Sequence, residues 1–250
     1  MKIISSLICL CFSFLWLPAQ DINALIKEGD RQESSLNEKA AFDKFKEVLS
    51  LQPVNIYALN KCSELCSRIG KREKDSKQMN TYFSAAKSYA SLALKLHPAN
   101  AESNCVMAIA LGRISLNKSG KEKIAAAKEI RRHVDIAIKN DPSNYKAWHV
   151  LGRWHYEMSS LNFLERAAIR VLFGSPPSSS IEASLAAFET AQQIERNFVL
   201  NNYEMARAYY KAGQHKKAIS LLNNMMQLTN TTEDDINIKK DGRKLLVDWQ

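Results

Sequence analysis

Glycine is scarce in this chain of 250 residues, with eight in all, and proline is scarcer at six. So little glycine leaves no room for a phosphate-cradling loop, and neither a Walker loop nor G-x-G-x-x-G is present. H-E-x-x-H and G-x-S-x-G are also missing. The five histidines include His149 and His155, six apart and therefore on different faces of a helix, so no zinc pair is formed. No catalytic, cofactor-binding or metal-ligating residue is assigned. Two-residue alternation of apolar and polar side chains is nowhere sustained, which removes the main strand signal. What is present is 46% hydrophobic and 24% charged residues, a composition that excludes a disordered or collagenous chain and suffices for a real core.

Lys2 is followed by an uncharged run from Ile3 to Leu17 and then Pro18-Ala19-Gln20. A basic start, an apolar run of about 7–15 residues and a small residue before the cut read as a secretory signal peptide. The expectation is a signal over 1–19 cleaved after Ala19, a single mature domain over 20–250, and export to a periplasm or equivalent space. The run falls short of the ~20 apolar residues of a comfortable membrane span, although an uncleaved anchor is the alternative. Cys9 and Cys11 fall inside that run. The remaining Cys62, Cys66 and Cys105 are odd in number, form no C-x-x-C pair, and read as small buried residues.

The net charge of +9 invites comparison with nucleic-acid binders. Lys128, Arg131, Arg132 and Lys139 nevertheless share their helix with Glu129 and Asp135, and Lys216-Lys217 and Lys239-Lys240 are isolated doublets. A nucleic-acid binder concentrates its charge on one face, so no nucleic-acid partner is expected, and membrane contact is at most peripheral.

Pro53, Pro98 and Pro142 each end an apolar helical run, and each is followed two residues later by an asparagine. The intervals of 45 and 44 residues are those of a helical-pair solenoid with insertions, longer than the ~34 residues of a tetratricopeptide repeat. Gly29, Ala41, Phe45 and Pro53 fit that repeat without a gap, as do Ala206, Tyr209, Gly213 and Ala218. Trp148, Leu151, Gly152, Phe188 and Ala191 fit it around an insertion over 161–180. A small residue where two helices cross allows close approach, and large residues nearby fill the groove. In the third unit either Ala108 or Gly112 takes the small position. About ten surplus residues are expected between the helices of units two and three, near Lys71–Lys74 and Lys118–Lys121. The fold expected is all-α: a TPR-like right-handed solenoid of about five hairpins with insertions, closed by a C-terminal end helix over 233–250.

In the repeat class, positions 2, 5, 9 and 12 of each first helix usually line the concave groove. Here these include Tyr57 and Asn60 in unit two, His149, Arg153 and Tyr156 in unit four, and Tyr203, Arg207 and Tyr210 in unit five. Tyr and Arg are residue types enriched in binding hot spots, although they also serve as interhelical packing and ion-pair partners. The insertion carries apolar residues at helical spacing from Leu161 to Phe173. It reads either as a helix folded over the core or as a lid across an apolar pocket, with Arg166 and Arg170 facing an anionic headgroup. Ser180 is placed to cap the following helix.

The stretch Leu151-Gly152-Arg153-Trp154, the run Leu172-Phe173-Gly174-x-Pro176-Pro177-Ser178-Ser179 and the upstream Ile130-Arg131-Arg132-His133-Val134-Asp135-x-Ala137-Ile138 carry a further likeness. The sequence over about 60–250 resembles the regulator of microtubule dynamics family. The resemblance implies a TPR-like helical fold and a microtubule-associated role. An exported chain would not meet cytosolic microtubules, so three readings stand: a non-enzymatic scaffold binding a partner protein in its groove, a carrier of lipid or a small apolar ligand, and the family's microtubule role.

Overall fold

A computed structural model describes residues 21–249 except 117, 119, 162 and 174–177. The proposed signal segment 1–19 and residues 174–177 of the insertion lie outside the described residues. Among the described residues every regular element is a helix: α1 (Ile22–Ser34), α2 (Glu38–Leu51), α3 (Ile56–Arg72), α4 (Ser76–Leu96), α5 (Ala101–Ser115), α6 (Gly120–Asn140), α7 (Tyr145–Ser159), α8 (Phe163–Phe173), α9 (Ile181–Ile194), α10 (Val199–Lys211), α11 (His215–Met226) and α12 (Asp234–Asp248). The hairpins are α1–α2, α3–α4, α5–α6, α7–α9 and α10–α11, and α12 packs on the last of them. No helix among the described residues is long and apolar enough to cross a membrane.

The Pro-x-Asn spacing has a direct structural use. Asn55, Asn100 and Asn144 are the N-caps of α3, α5 and α7, each side chain accepting from the backbone N–H three residues on at 2.8–3.0 Å. Such caps are worth about 1 kcal/mol each. Two of these turns, and the turn between α9 and α10, are also stitched from the fourth residue of the helix that follows. Asn104 Nδ2 donates to the Pro98 carbonyl at 2.9 Å, Trp148 Nε1 to that of Pro142 at 2.8 Å, and Asn202 Nδ2 to that of Arg196 at 3.5 Å.

Crossings follow the small-against-aromatic rule. An added Cβ at Gly29 would lie 2.8 Å from the Phe45 ring, and one at Gly152 would lie 2.6 Å from that of Phe188. In unit three the small residue is Ala108, fully buried among Ile130, Val134 and Leu151, whereas Gly112 has open space where its Cβ would be. The surplus of units two and three lengthens helices rather than filling the turns. α3 has 17 residues and α4 and α6 have 21 each, and the longer α3–α4 hairpin has a close approach at Gly70 against Tyr82 and Phe83. Cys62, Cys66 and Cys105 are free and buried, and burial pushes the Cys66 thiol up to about 12.

The insertion enters as α8. Ile169 is buried with Leu151, Trp154 and Ala187, so this part of it folds onto the repeat core, while Val171 is 84% exposed. Arg166 is exposed and donates to the carbonyls of Leu161 and Ser159, which closes the end of α7. Ser180 caps α9 through the Ala183 N–H.

Candidate functional site

The first helices α1, α3, α5, α7 and α10 carry a chain of charges. At its start the Tyr57 hydroxyl donates to Asp30 at 2.5 Å, its ring meets Phe45 edge-on at 6.0 Å, and Lys61 lies 5.5 Å from the ring centre. Lys61 pairs with Glu33 at 2.8 Å, and Glu33 also holds Arg68. Further on, Lys146 joins Glu64 at 2.9 Å and also Glu102, tying α7 to α3 and α5. Burial alone would raise Glu64, but Lys146, Arg68 and Lys61 outweigh it and hold the carboxyl well below its usual range. Burial likewise disfavours the Lys146 ammonium, and Glu64 and Glu102 override it.

Four of the expected residues meet around Glu204. Arg153 pairs with it from α7, and Arg207 from α10 at 2.9 Å. The Arg207 guanidinium lies 5.4 Å from the Tyr156 ring centre and 5.9 Å from that of Tyr203, and Lys211 lies 4.7 Å from Tyr156. Glu204 is kept ionised below the ordinary range because Arg153 and Arg207 overcome the effect of burial. All four side chains remain partly exposed. This is an amphipathic cationic–aromatic patch of the kind that anchors a partner.

The other expected groove residues sit elsewhere. Asn60 is 6% exposed and accepts from the Ser103 hydroxyl at 2.9 Å, and His149 is 7% exposed against Asn201 at 3.1 Å. Both are fifth residues of their first helices, and each bonds the first helix that follows, α5 or α10. The fifth position therefore packs between repeats. Tyr203, the fifth residue of α10, stays partly open, as does Ile26 at the fifth position of α1. Burial lowers the His149 pKa to about 4, leaving the ring neutral with Nδ1–H donating to Asn201 Oδ1. Tyr210 stacks between His215 at 4.3 Å and Trp249 at 4.0 Å, so it belongs to the end-helix packing.

Sequence reasoning missed the closure of the solenoid. The N-terminus of α12 returns to the first two hairpins, where Arg72 meets Glu38 at 2.6 Å, Glu233 at 3.1 Å and Asp234 at 3.0 Å. Only the repeat geometry brings these residues together, since no local pattern announces a contact between positions 38 and 233. Among the described residues no group of three or more His, Cys, Asp and Glu is disposed to hold a metal ion. On α6, Arg131 pairs with Asp135 and Arg132 with Glu129 at 2.8 and 2.9 Å, so these cations do not form a bare basic stripe.

Capped helical hairpins, glycine–aromatic crossings and a charged inner face define a tetratricopeptide-like helical-repeat protein. Solved structures agree in fold. A TPR protein of Thermus thermophilus superposes with a TM-score of 0.63 at 11% identity, covering 90% of this chain and 99% of that one. The type IV pilus biogenesis factor PilW superposes with a TM-score of 0.56 at 16% identity, covering 92% and 90%. The chain belongs to the regulator of microtubule dynamics family, whose model, regulator of microtubule dynamics protein 1-3, matches residues 22–250. It is similar to regulator of microtubule dynamics protein 3 of Rattus norvegicus, 26% identical over 238 residues, which are 91% of this chain and 49% of the rat protein. It is 27% identical over 194 residues to regulator of microtubule dynamics protein 1 of Homo sapiens, covering 77% of this chain and 61% of the human one. The chain thus spans about half the length of the rat relative.

Proposed function

We propose that the protein is a non-enzymatic scaffold that holds a partner protein against the inner face of its solenoid. The observation that carries this reading is the partly exposed set Arg153, Tyr156, Tyr203 and Arg207 gathered around Glu204. Tyrosine and arginine there offer apolar bodies with polar tips at low ordering cost. Less supports an enclosed apolar ligand, because the inner face is lined by ion pairs and Ile169 is used in the core.

Charge reversal at Arg153 and Arg207 is a poor probe, since it would crowd three carboxylates around Glu204. A photoreactive benzoylphenylalanine at Tyr203 tests the reading more cleanly, with the same group at exposed Lys87 on α4 as control. A discrete cross-linked partner from Tyr203 and none from Lys87 is expected. Equal labelling at both positions would overturn the reading.

The family membership favours a second reading, a microtubule-related role, as the names of the relatives suggest. It requires a chain that stays in the cytosol, whereas the export proposed from residues 1–19 removes it. The intact mass of the protein from its own host separates the two: loss of residues 1–19 supports export, and retention supports the family-like role.

A further inference from the structure

Arg68 and Arg113 occupy the same place in successive repeats, each the thirteenth residue of its first helix. Arg68 is held by carboxylates: Glu33, the twelfth residue of α1; Glu38 at 3.2 Å; and Glu64, the ninth residue of α3, at 3.9 Å. One repeat further on, the twelfth residue of α3 is Ser67 and the ninth of α5 is Ile109. Two of the three acids that would pair with Arg113 by repeat equivalence are thus replaced by a hydroxyl and an alkyl group.

The loss shows at Arg113 and at Ser67. Arg113 makes no ion pair or side-chain hydrogen bond among the described residues; its Nε is buried without an acceptor, as is that of Arg68, so the two differ in the carboxylates that hold the rest of the Arg68 guanidinium. The Ser67 hydroxyl is buried and unpartnered as well. Two such groups at places that touch in the preceding repeat are costly unless something accepts from them. Burial depresses the Arg113 pKa, whereas Arg68, Arg72 and Arg207 are raised by their carboxylates.

We infer that Arg113 and Ser67 form an oxyanion site on the inner face that takes a carboxylate from an acidic segment of the bound partner. The inference rests on the scaffold reading above. A planar carboxylate matches the guanidinium fork, and the serine hydroxyl supplies a further donor. Asp234 and Glu204 are close enough to act on Arg113 electrostatically, with Arg153 opposing them. Entering a buried site strips the ligand of water, a cost that rises faster than its charge, so the single charge of a carboxylate is favoured over a phosphate dianion.

The test uses the full chain labelled with ¹⁵N-arginine and follows the Arg113 Nε–Hε resonance by NMR. The probes are sodium acetate, inorganic phosphate and a blocked Gly-Glu-Gly-Glu-Gly peptide, each against sodium chloride at equal ionic strength. Saturable shifts with acetate and with the peptide are expected at Arg113 and not at Arg68. Arg113→Gln loses the reporter with the side chain, so its binding is read by calorimetry: acetate and peptide binding should both be abolished while the variant melts no lower than the wild type, since it removes an unpaired charge. Ser67→Ala should weaken acetate about fivefold, the value of one hydrogen bond. A chloride-like response overturns the site, as does phosphate binding tighter than acetate or acetate binding without the peptide. The scaffold reading fails separately. If Tyr203 captures no partner while the peptide still saturates Arg113, the scaffold falls and the carboxylate site stands. If Tyr203 captures a partner just as well in Arg113→Gln, the scaffold stands and this inference falls.

Discussion

Glu38 and Glu233, 195 residues apart, cap one another's helices. The Glu38 N–H donates to Glu233 Oε1 at 2.7 Å, and the Glu233 N–H donates to Glu38 Oε1 at 3.2 Å. Neither residue before these helices, Asn37 or Glu233, makes a side-chain cap bond to its own helix. Each helix therefore takes a carboxylate acceptor from the far end of the chain, in the position that the helix dipole favours. Two carboxylates so close would repel, and Arg72, bonded to both, offsets that repulsion.

Removing the two halves of this latch should have unequal effects. Glu233 is partly exposed, so Glu233→Ala is expected to cost about 1 kcal/mol, the loss of a cap. It should also speed hydrogen exchange at the Glu38 amide. Glu38 is fully buried between Arg68 and Arg72, and Glu38→Ala leaves them without it at a cost of about 3–5 kcal/mol. Urea unfolding and amide exchange check both. Unchanged protection of Glu38 in Glu233→Ala would mean that the solenoid does not close in solution.

Gly152→Leu should destabilise by more than ~1–3 kcal/mol, the usual cost of overpacking. Its first added atom alone would lie 2.6 Å from Phe188 Cδ1, and Phe188 is fully buried with nowhere to swing. A wild-type melting temperature in this variant would show that α7 and α9 do not cross there.

Much of the repeat was legible because it is local. Pro-x-Asn marked three of the four turns between repeats, since proline stops one helix and asparagine caps the next, and glycine opposite phenylalanine marked two crossings. The groove was legible only in part. Arg153, Tyr156, Tyr203 and Arg207 do meet, but Asn60 and His149 turn to the following repeat, where each finds a hydrogen-bond partner on the next first helix. Ala108 against Gly112 could not be decided by spacing, since both register with neighbouring motifs, and contact with Ile130 and Val134 decides it. The Glu38–Glu233 latch depends on the accumulated turn of every repeat between them, which no window of sequence contains.

His149 gives the fold a defined acid sensitivity. Its pKa falls from 6.5 to about 4 on folding because burial disfavours the charged ring. A depressed histidine binds more protons in the unfolded chain, so its contribution is complete above pH 6.5 and is lost as the pH falls towards 4. The size is about 3 kcal/mol, from a little over one kcal/mol per pH unit. Unfolding free energy measured by urea at pH 7 and at pH 4 should therefore drop, and His149→Leu should drop by less. An equal drop in both proteins would show that His149 is not buried in solution.

Gly112 and Gly213 separate space from backbone geometry. Neither has an atom within 4 Å of where a Cβ would sit, so neither glycine is needed for close packing. Gly112 lies inside α5, where glycine is disfavoured, and Gly112→Ala should stabilise by about 0.5–1 kcal/mol. Gly213 follows the end of α10 at φ 75°, in the left-handed region that a Cβ opposes. Gly213→Ala should destabilise by about 1–2 kcal/mol. The corresponding residue after α1 is Leu36, at φ 59°, so the chain already sustains one side chain in that conformation. The cost at Gly213 is thus bounded, and the variant should fold while melting lower than the wild type. Opposite signs for the two glycines in a urea titration are the expected result, and a stabilised Gly213→Ala would show that the α10–α11 turn does not need its left-handed residue.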